Sequence, residues 1–240
     1  MSWSRAQRLG QRLGLCSLLC SMVAAAEYTE APVTNGGTIT GKVTYDGAAP
    51  KPQTVAITQD PGTCGTSRLE DAWSVSADGG VENVVVYLVD IGSGKKMDLP
   101  GQPVLDQKGC HYLPHTQIIG KGSELQVKNS DPILHNVHSY LGTSTVFNFA
   151  QPKQGSVTPK KVTKAGGVTL KCDVHSFMRG AIFVADNPYA VITAKDGTFQ
   201  IKDVPPGTYQ IATFHEVGSP KTGSVTVKGG DQVTFNAKIK

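Results

Sequence analysis

The chain has 240 residues, of which 39% are hydrophobic and 18% charged, and its formal net charge at pH 7 is +4. Three of its positive charges are Arg5, Arg8 and Arg12, and without them the net charge is about +1. So weak a charge gives no support for nucleic acid as a partner.

The first 26 residues have the order of a secretory signal. The three arginines precede a short apolar run, residues 13–23, and Ala24-Ala25-Ala26 supplies the small residues of a cleavage site. The run is too short to cross a bilayer, and no long apolar segment follows it. We therefore expect a periplasmic or secreted protein without a membrane span, cleaved near Ala26.

Short β-branched runs recur after the signal, and no stretch keeps a helical period. The predicted strands cover residues 38–45, 84–89, 124–128, 167–172, 180–184, 198–201 and 224–227. Turn-forming residues separate them, at 78–80, 92–94, 196–197 and 205–207. The pattern predicts an all-β protein built from antiparallel sandwiches.

Differences in composition and motifs divide the chain into a signal (1–26), an N-terminal segment (27–79), a central domain (80–186) and a tail (187–240). The stretch from Asp196 to Tyr209, with its Pro-Pro-Gly turn, resembles the carboxypeptidase regulatory-like (transthyretin-like) module. Residues 37–50 resemble the opening strand and turn of the same module, which implies a structural role. Two arrangements are open: the central domain is inserted into this module, or the N-terminal segment lengthens the central sheets.

The segment Cys172-Asp173-Val174-His175-Ser176-Phe177-Met178 carries metal chemistry. Its Cys, His and Met recur at intervals of three, so a tight loop between two strands would direct all three side chains at one ion. A type 1 copper site uses one thiolate, two imidazoles and a weak axial thioether. The soft sulfur ligands favour copper over calcium or magnesium, and the single Cys argues against a Cys-rich structural zinc site.

The second imidazole is expected from a separate strand, and the segment from Asn129 to His138 contains one. His-Asn-Val-His, followed downstream by Cys-x-x-His-x-Phe-Met-Arg-Gly, resembles amicyanin among the cupredoxins. The resemblance implies a Greek-key cupredoxin sandwich with one type 1 copper. The implied ligands are His135, Cys172, His175 and Met178, with His138 not a ligand.

The resemblance also implies roles for residues around these ligands. Asn136 would join the two ligand segments by hydrogen bonds. Asp173 departs from the small hydroxyl or proline residues more common in this loop, and it would place a negative charge near the metal, lowering the reduction potential if it lies close. His175 would lie at the protein surface within an apolar docking patch that includes Phe177, Pro132 and Leu134.

Three cysteines remain after the signal is removed, and an exported protein meets an oxidising compartment. If Cys172 binds the metal, Cys64 and Cys110 are left to form a disulfide; the alternative is two buried free thiols. His111 and His115, close to Cys110, could bind a second metal, or they could be surface or hydrogen-bonding groups.

The predicted function is single-electron transfer rather than enzymatic catalysis, with a cytochrome or dehydrogenase as partner. A group of basic residues could steer an acidic partner or could simply be solvated: Lys153, Lys160, Lys161, Lys164, Lys171 and Arg179. The alternatives are a copper chaperone or storage protein and a non-redox β-sandwich binding module. Exposed Met clusters, typical of the former, are absent, since Met97 and Met178 are the only methionines after the signal.

Overall fold

The structure, a computed structural model, describes residues 27–70, 73–99 and 101–240. The predicted signal lies outside these ranges. Within them the regular secondary structure is almost entirely β-strand, as the sequence predicted, with one short helix, α1 (Pro61–Cys64). No helix within the same ranges is long and apolar enough to cross a membrane.

The strands are numbered in chain order. They are β1 (Thr29–Glu30), β2 (Gly37–Tyr45), β3 (Gln53–Ala56), β4 (Ser67–Glu70), β5 (Val85–Val89), β6 (Ser93–Gly94), β7 (Val104–Lys108), β8 (His111–Leu113), β9 (Thr116–Gly120), β10 (Glu124–Asn129), β11 (His135–Leu141), β12 (Ser144–Gln151), β13 (Val157–Lys161), β14 (Gly166–Lys171), β15 (Arg179–Ala185), β16 (Ala190–Ile192), β17 (Thr198–Val204), β18 (Gly207–Phe214), β19 (Thr222–Val227), β20 (Gln232–Thr234) and β21 (Ala237–Ile239).

Two sheets form a central sandwich, with the strand orders β13-β10-β7-β8 and β12-β11-β14-β15-β9. Alternating side chains explain how these strands pack: in β10, Leu125 and Val127 are fully buried between more exposed neighbours. They join Leu105, Val137 and Ile182 in one core. Each such side chain contributes about 1.5–3 kcal/mol on burial, so this core fixes the strands that carry the candidate metal-binding motif.

A second pair of sheets lies around the N- and C-terminal strands. Strand β2 pairs with β17, β20 and β21, and β5 pairs with β16 and β18. If the central domain is inserted into a module formed by the two ends of the chain, the N-terminal strand has to pair with C-terminal strands. Strand β2 pairs in this way. The full division into domains and the regulatory-like resemblance stay predictions.

The position of β5 corrects one boundary drawn from the sequence. Residues 85–89 were assigned to the central domain (80–186), but they hydrogen-bond to strands of the tail. The run is apolar on both faces, and such a run indicates burial without indicating which sheet it joins. The central sandwich therefore begins at β7, while its chain still ends near residue 186.

A small aromatic cluster joins the two sandwiches. Phe183 of β15 lies with its ring centroid 4.4 Å from that of Tyr87 in β5 and 6.1 Å from that of Phe214 in β18. Phe183 is 4% exposed, and Val85 packs in the same cluster. The contact couples β15, which follows the candidate metal-binding loop, to the sheet of β16, β5, β18 and β19, which we call the tail sheet.

Strands β3 and β4 pair only with each other among the described strands. Together with α1 they form a segment, residues 53–70, that lies in the chain between β2 and β5. A disulfide between Cys64, at the end of α1, and Cys110, between β7 and β8, attaches this segment to the central sandwich. The predicted disulfide is thereby confirmed, and Cys172 is the free cysteine among the described residues.

Candidate metal centre

The loop from Cys172 to Met178 connects β14 to β15. The backbone N–H of Met178 donates to the carbonyl of His175 at 2.8 Å, and the N–H of Cys172 approaches the carbonyl of Met178 at 3.4 Å. These bonds close a tight turn. Cys172, His175 and Met178 are all buried, with exposed fractions of 3%, 0% and 1%.

Strand β11 brings His135 to this loop, because β11 and β14 pair in antiparallel register. Nδ1 of His135 lies 3.2 Å from Nδ1 of His175, and Sγ of Cys172 lies 3.7 Å from the latter nitrogen. One donor atom from each residue lies within 4.8 Å of the others. Two imidazoles and a thiol therefore converge on one point in the protein interior.

The sulfur of Cys172 accepts two backbone N–H groups, from Asn136 and His175, each at 3.4 Å. These two contacts fix the position of the sulfur, and the thiolate is the form of cysteine that binds a metal.

Asn136 lies immediately after His135 and contacts both ligand segments. Its Oδ1 accepts the backbone N–H of Asp173 at 3.2 Å, and its Nδ2 donates to Oδ1 of Asn148 at 2.7 Å. The amide thus holds β11, β12 and the Cys172 loop together.

Asp173 itself directs its carboxylate toward the surface. The carboxylate lies 3.1 Å from Nδ1 of His138 and its side chain is 51% exposed. Water screens such a charge strongly, which limits its effect on a buried metal.

Asp131 is a buried partner that the sequence analysis missed. Its Oδ2 lies 2.8 Å from Nε2 of His135, and the carboxylate also accepts the N–H groups of Gly109 and Cys110 at 2.7 and 2.9 Å. Burial raises the pKa of Asp131, but these hydrogen bonds outweigh it and the pKa is lowered overall. The spacing of four residues between Asp131 and His135 is the one signal that could have indicated the pair.

His175 is placed differently from the expectation. It was predicted at the surface, but it is 0% exposed and its Nε2 lies 3.0 Å from Oδ2 of Asp60, in the 53–70 segment. Hydrogen bonds from Gln59 and from His175 lower the pKa of Asp60. The physical reason is that the 53–70 segment, which is remote in sequence, covers the edge of the His175 ring. The resemblance implied that this edge is exposed.

The expected docking patch is divided by the same segment. Pro132 is exposed and Leu134 is 41% exposed. Phe177 is only partly exposed, because the guanidinium carbon of Arg68 lies 5.0 Å from its ring centroid. Its role in docking stays a prediction.

Tyr112 of β8 is a second missed residue. Its hydroxyl lies 2.6 Å from the carbonyl of Asn136 and 3.0 Å from that of Lys171. Asn136 directly follows His135, and Lys171 directly precedes Cys172. The side chain is 1% exposed, and burial raises its pKa, so the hydroxyl stays a donor. Gly180 permits this approach, since a Cβ there would lie 3.2 Å from that of Tyr112.

The basic residues do not form one group. Lys161 pairs in register with Glu124 at the start of β10, whereas the segment that leads to His135 follows the end of that strand. The five residue steps of β10 span about 16 Å. Lys160, Lys161 and Lys164 thus lie toward the end of the sandwich away from the centre, while Lys171 is adjacent to Cys172.

His111 and His115 have other partners. Nη2 of Arg68 lies within 2.8 Å of both ring nitrogens of His111, and Nε2 of His115 lies 3.3 Å from Oε1 of Glu216. Neither histidine belongs to a group of three potential metal-binding side chains in the described part of the chain. A group of Cys110, Asp131 and His135 exists, but its sulfur is in the disulfide.

A buried set of two imidazoles and one thiol, with a buried methionine on the same loop, defines a candidate centre for a soft or borderline transition metal in a β-sandwich. The donors fit copper, which accepts thiolate, imidazole and thioether ligands together. The strand order and the two packed sheets are consistent with a cupredoxin-like sandwich.

Comparison with known proteins gives partial likenesses. No known family profile and no curated protein matches the chain. The reduced Cu(I) form of an amicyanin variant is 26% identical over 37% of this chain and 86% of its own, with a TM-score of 0.32. A copper-containing nitrite reductase from Thermus scotoductus is 21% identical over 41% of this chain and 25% of its own, with a TM-score of 0.31. A purple cupredoxin from Nitrosopumilus maritimus is 19% identical over 36% of this chain and all of its own, also with a TM-score of 0.31.

Proposed function

We propose that the chain is an exported type 1 copper protein of the cupredoxin class that carries single electrons between redox partners. The observation that supports this most strongly is the convergence of buried donor atoms from His135, Cys172 and His175. Met178, on the same loop and equally buried, is the proposed fourth ligand. One copper ion bound there would supply one-electron chemistry by alternating between Cu(I) and Cu(II).

The surroundings of these ligands suit electron transfer. The candidate ligands are 0–3% exposed, so water is excluded, and Asp131 and Asn136 hold the first histidine and the loop in place. A site held in this way changes little when its charge changes. Four protein ligands would leave no open position for a substrate, which favours a carrier over an enzyme.

The location and the partner belong to the same proposal. The disulfide between Cys64 and Cys110 supports export, because disulfides persist in oxidising compartments. The proposed partner is a redox protein such as a cytochrome or a dehydrogenase. The exposed side chains of Pro132 and Leu134 support docking beside the ligand loop.

The test is the visible and EPR spectrum of the chain starting at Glu27, loaded with one equivalent of Cu(II). We expect a strong thiolate-to-copper absorption and narrow copper hyperfine splitting. Cys172→Ser should abolish both while the β-fold is retained. His138→Gln is the matched control: this histidine is near the loop but outside the donor cluster, so the spectrum should persist.

Two outcomes would contradict the proposal. A copper-bound but colourless protein would favour the chaperone or storage alternative. A protein that binds no copper, or gives only a weak square-planar signal, would favour a non-redox β-sandwich.

A further inference from the structure

The two candidate histidine ligands share an arrangement. Each directs Nδ1 at the donor cluster and Nε2 at a carboxylate: Asp131 for His135, at 2.8 Å, and Asp60 for His175, at 3.0 Å. A carboxylate on the remote nitrogen fixes the tautomer and the orientation of a metal-binding imidazole. Asp131 belongs to the central sandwich, whereas Asp60 comes from the 53–70 segment.

Contacts to both its backbone and its side chain hold Asp60 in place. Its backbone lies in the left-handed region, with φ of 50°, and its carbonyl accepts the N–H groups of Thr63 and Cys64 at 3.0 and 2.9 Å. Nε2 of Gln59 donates to its Oδ2 at 3.1 Å. A non-glycine residue in this conformation persists where its surroundings fix it.

The segment is in turn fastened beside the donor cluster. The Cys64–Cys110 disulfide joins it to the residue whose N–H also binds Asp131. Nη1 of Arg68 donates to the carbonyl of Cys110 at 3.0 Å, and its guanidinium lies over the ring of Phe177. That ring is 5.6 Å from the ring of His175. Strands β3 and β4 have no ladder to the other described strands, so these contacts hold the segment in place.

We propose that residues 53–70 form a disulfide-fastened cap on the metal centre, in which Asp60 is a positioning residue that holds His175 and closes its outer edge to solvent. The inference rests on the proposed function, since it takes His175 as a ligand. The cap slows the release of the metal, and a redox partner meets the cap instead of a bare histidine edge.

The first test measures the extraction of copper from the Cu(I)-loaded chain by a Cu(I)-specific chelator. Loss of such a carboxylate partner weakens metal binding about 10–100-fold, and we expect extraction from Asp60→Ala to accelerate by a factor in this range. Asp60→Asn retains an oxygen acceptor, so copper should be extracted from it more slowly than from Asp60→Ala and faster than from the wild type. Asp78→Ala, which removes an exposed carboxylate in the other sandwich, is the matched control and should equal the wild type.

The second test needs no copper. In the metal-free chain, NMR follows exchange of the His175 Nε2 proton with water, which should be at least tenfold faster in Asp60→Ala. Replacing both Cys64 and Cys110 by Ser should give the same change by releasing the segment. Unchanged exchange and unchanged extraction in Asp60→Ala would overturn the cap. The wild type could lack a type 1 spectrum while Asp60→Ala still accelerates exchange of the His175 Nε2 proton. That result would refute copper electron transfer but not the cap on His175.

Discussion

Asp131 and His135 form a buried pair in which Oδ2 of the aspartate lies 2.8 Å from Nε2 of the histidine. The same carboxylate accepts two backbone N–H groups from the turn between β7 and β8. It therefore connects the disulfide-bonded turn directly to one candidate ligand. Removing it affects both the stability of the fold and the binding of metal.

We predict that Asp131→Ala lowers the free energy of unfolding of the metal-free protein by at least about 2 kcal/mol. Each buried donor left without a partner costs about 1–3 kcal/mol, and two buried donors, on Cys110 and His135, lose theirs. Copper affinity should fall about 10–100-fold, because His135 loses its orientation. Urea unfolding and chelator competition measure the two effects. Asp173→Ala, at a half-exposed carboxylate, should change stability by less than about 1 kcal/mol, and an equal loss there would contradict the argument.

We predict that Tyr112→Phe costs about 1–2 kcal/mol of stability, because the carbonyls of Asn136 and Lys171 lose a buried donor. Amide hydrogen exchange should accelerate in β11 and β14, the strands that the hydroxyl joins. Tyr209→Phe removes a hydroxyl bonded to the carbonyl of Pro205 in the tail and serves as the control. If both variants change exchange in β11 equally, Tyr112 has no specific part in holding the ligand strands.

The sequence predicted the candidate ligand loop because its information is local. Cys172, His175 and Met178 lie within seven residues, and the apolar runs on either side predict the strands that confine them. His135 followed from the resemblance, and the antiparallel pairing of β11 with β14 then accounts for its approach to the loop. The all-β architecture was predictable for the same reason, because the alternation of apolar and polar side chains in strands such as β10 is visible within five residues.

Contacts between remote segments were not predictable in this way. Asp60 and His175 are 115 residues apart, and Tyr112 and Lys171 are 59 apart. No local pattern in either partner specifies the other, because tertiary packing decides which surfaces meet. The expectation of an exposed His175 was wrong for this reason. The misassigned partners of β5 have the same origin: apolar runs specify burial but not the neighbouring strand.

We predict that Phe183→Ala destabilises the protein by about 3–5 kcal/mol and separates the unfolding of the two sandwiches. Phe183 contacts Tyr87 and Phe214, which belong to the tail sheet, so its removal weakens the contact between the two units. Differential scanning calorimetry should resolve two transitions in place of one. Leu69→Ala, at a side chain that is 64% exposed, should shift stability by no more than about 0.5 kcal/mol. A single transition at the wild-type temperature in Phe183→Ala would contradict the coupling.

His215 stacks on Trp73 with ring centroids 4.4 Å apart and planes 8° apart. Burial lowers the pKa of His215 from 6.5 to about 4. The folded protein therefore binds this proton less readily than the unfolded chain does. Its contribution to stability is complete above pH 6.5, falls as the pH decreases from 6.5 to about 4, and changes no further below that. The total loss from this group is about 3 kcal/mol.

His215→Phe keeps an aromatic ring against Trp73 and removes the titration. The difference in unfolding free energy between wild type and variant should therefore change by about 3 kcal/mol between pH 7 and pH 4, in favour of the variant at low pH. Trp73 is the only tryptophan after the predicted signal, so its fluorescence reports unfolding of this region directly. His138→Gln, at a partly exposed histidine, is the matched control. If the difference in unfolding free energy between wild type and His215→Phe does not change with pH, His215 titrates alike in the folded and unfolded chains. That result would contradict the prediction.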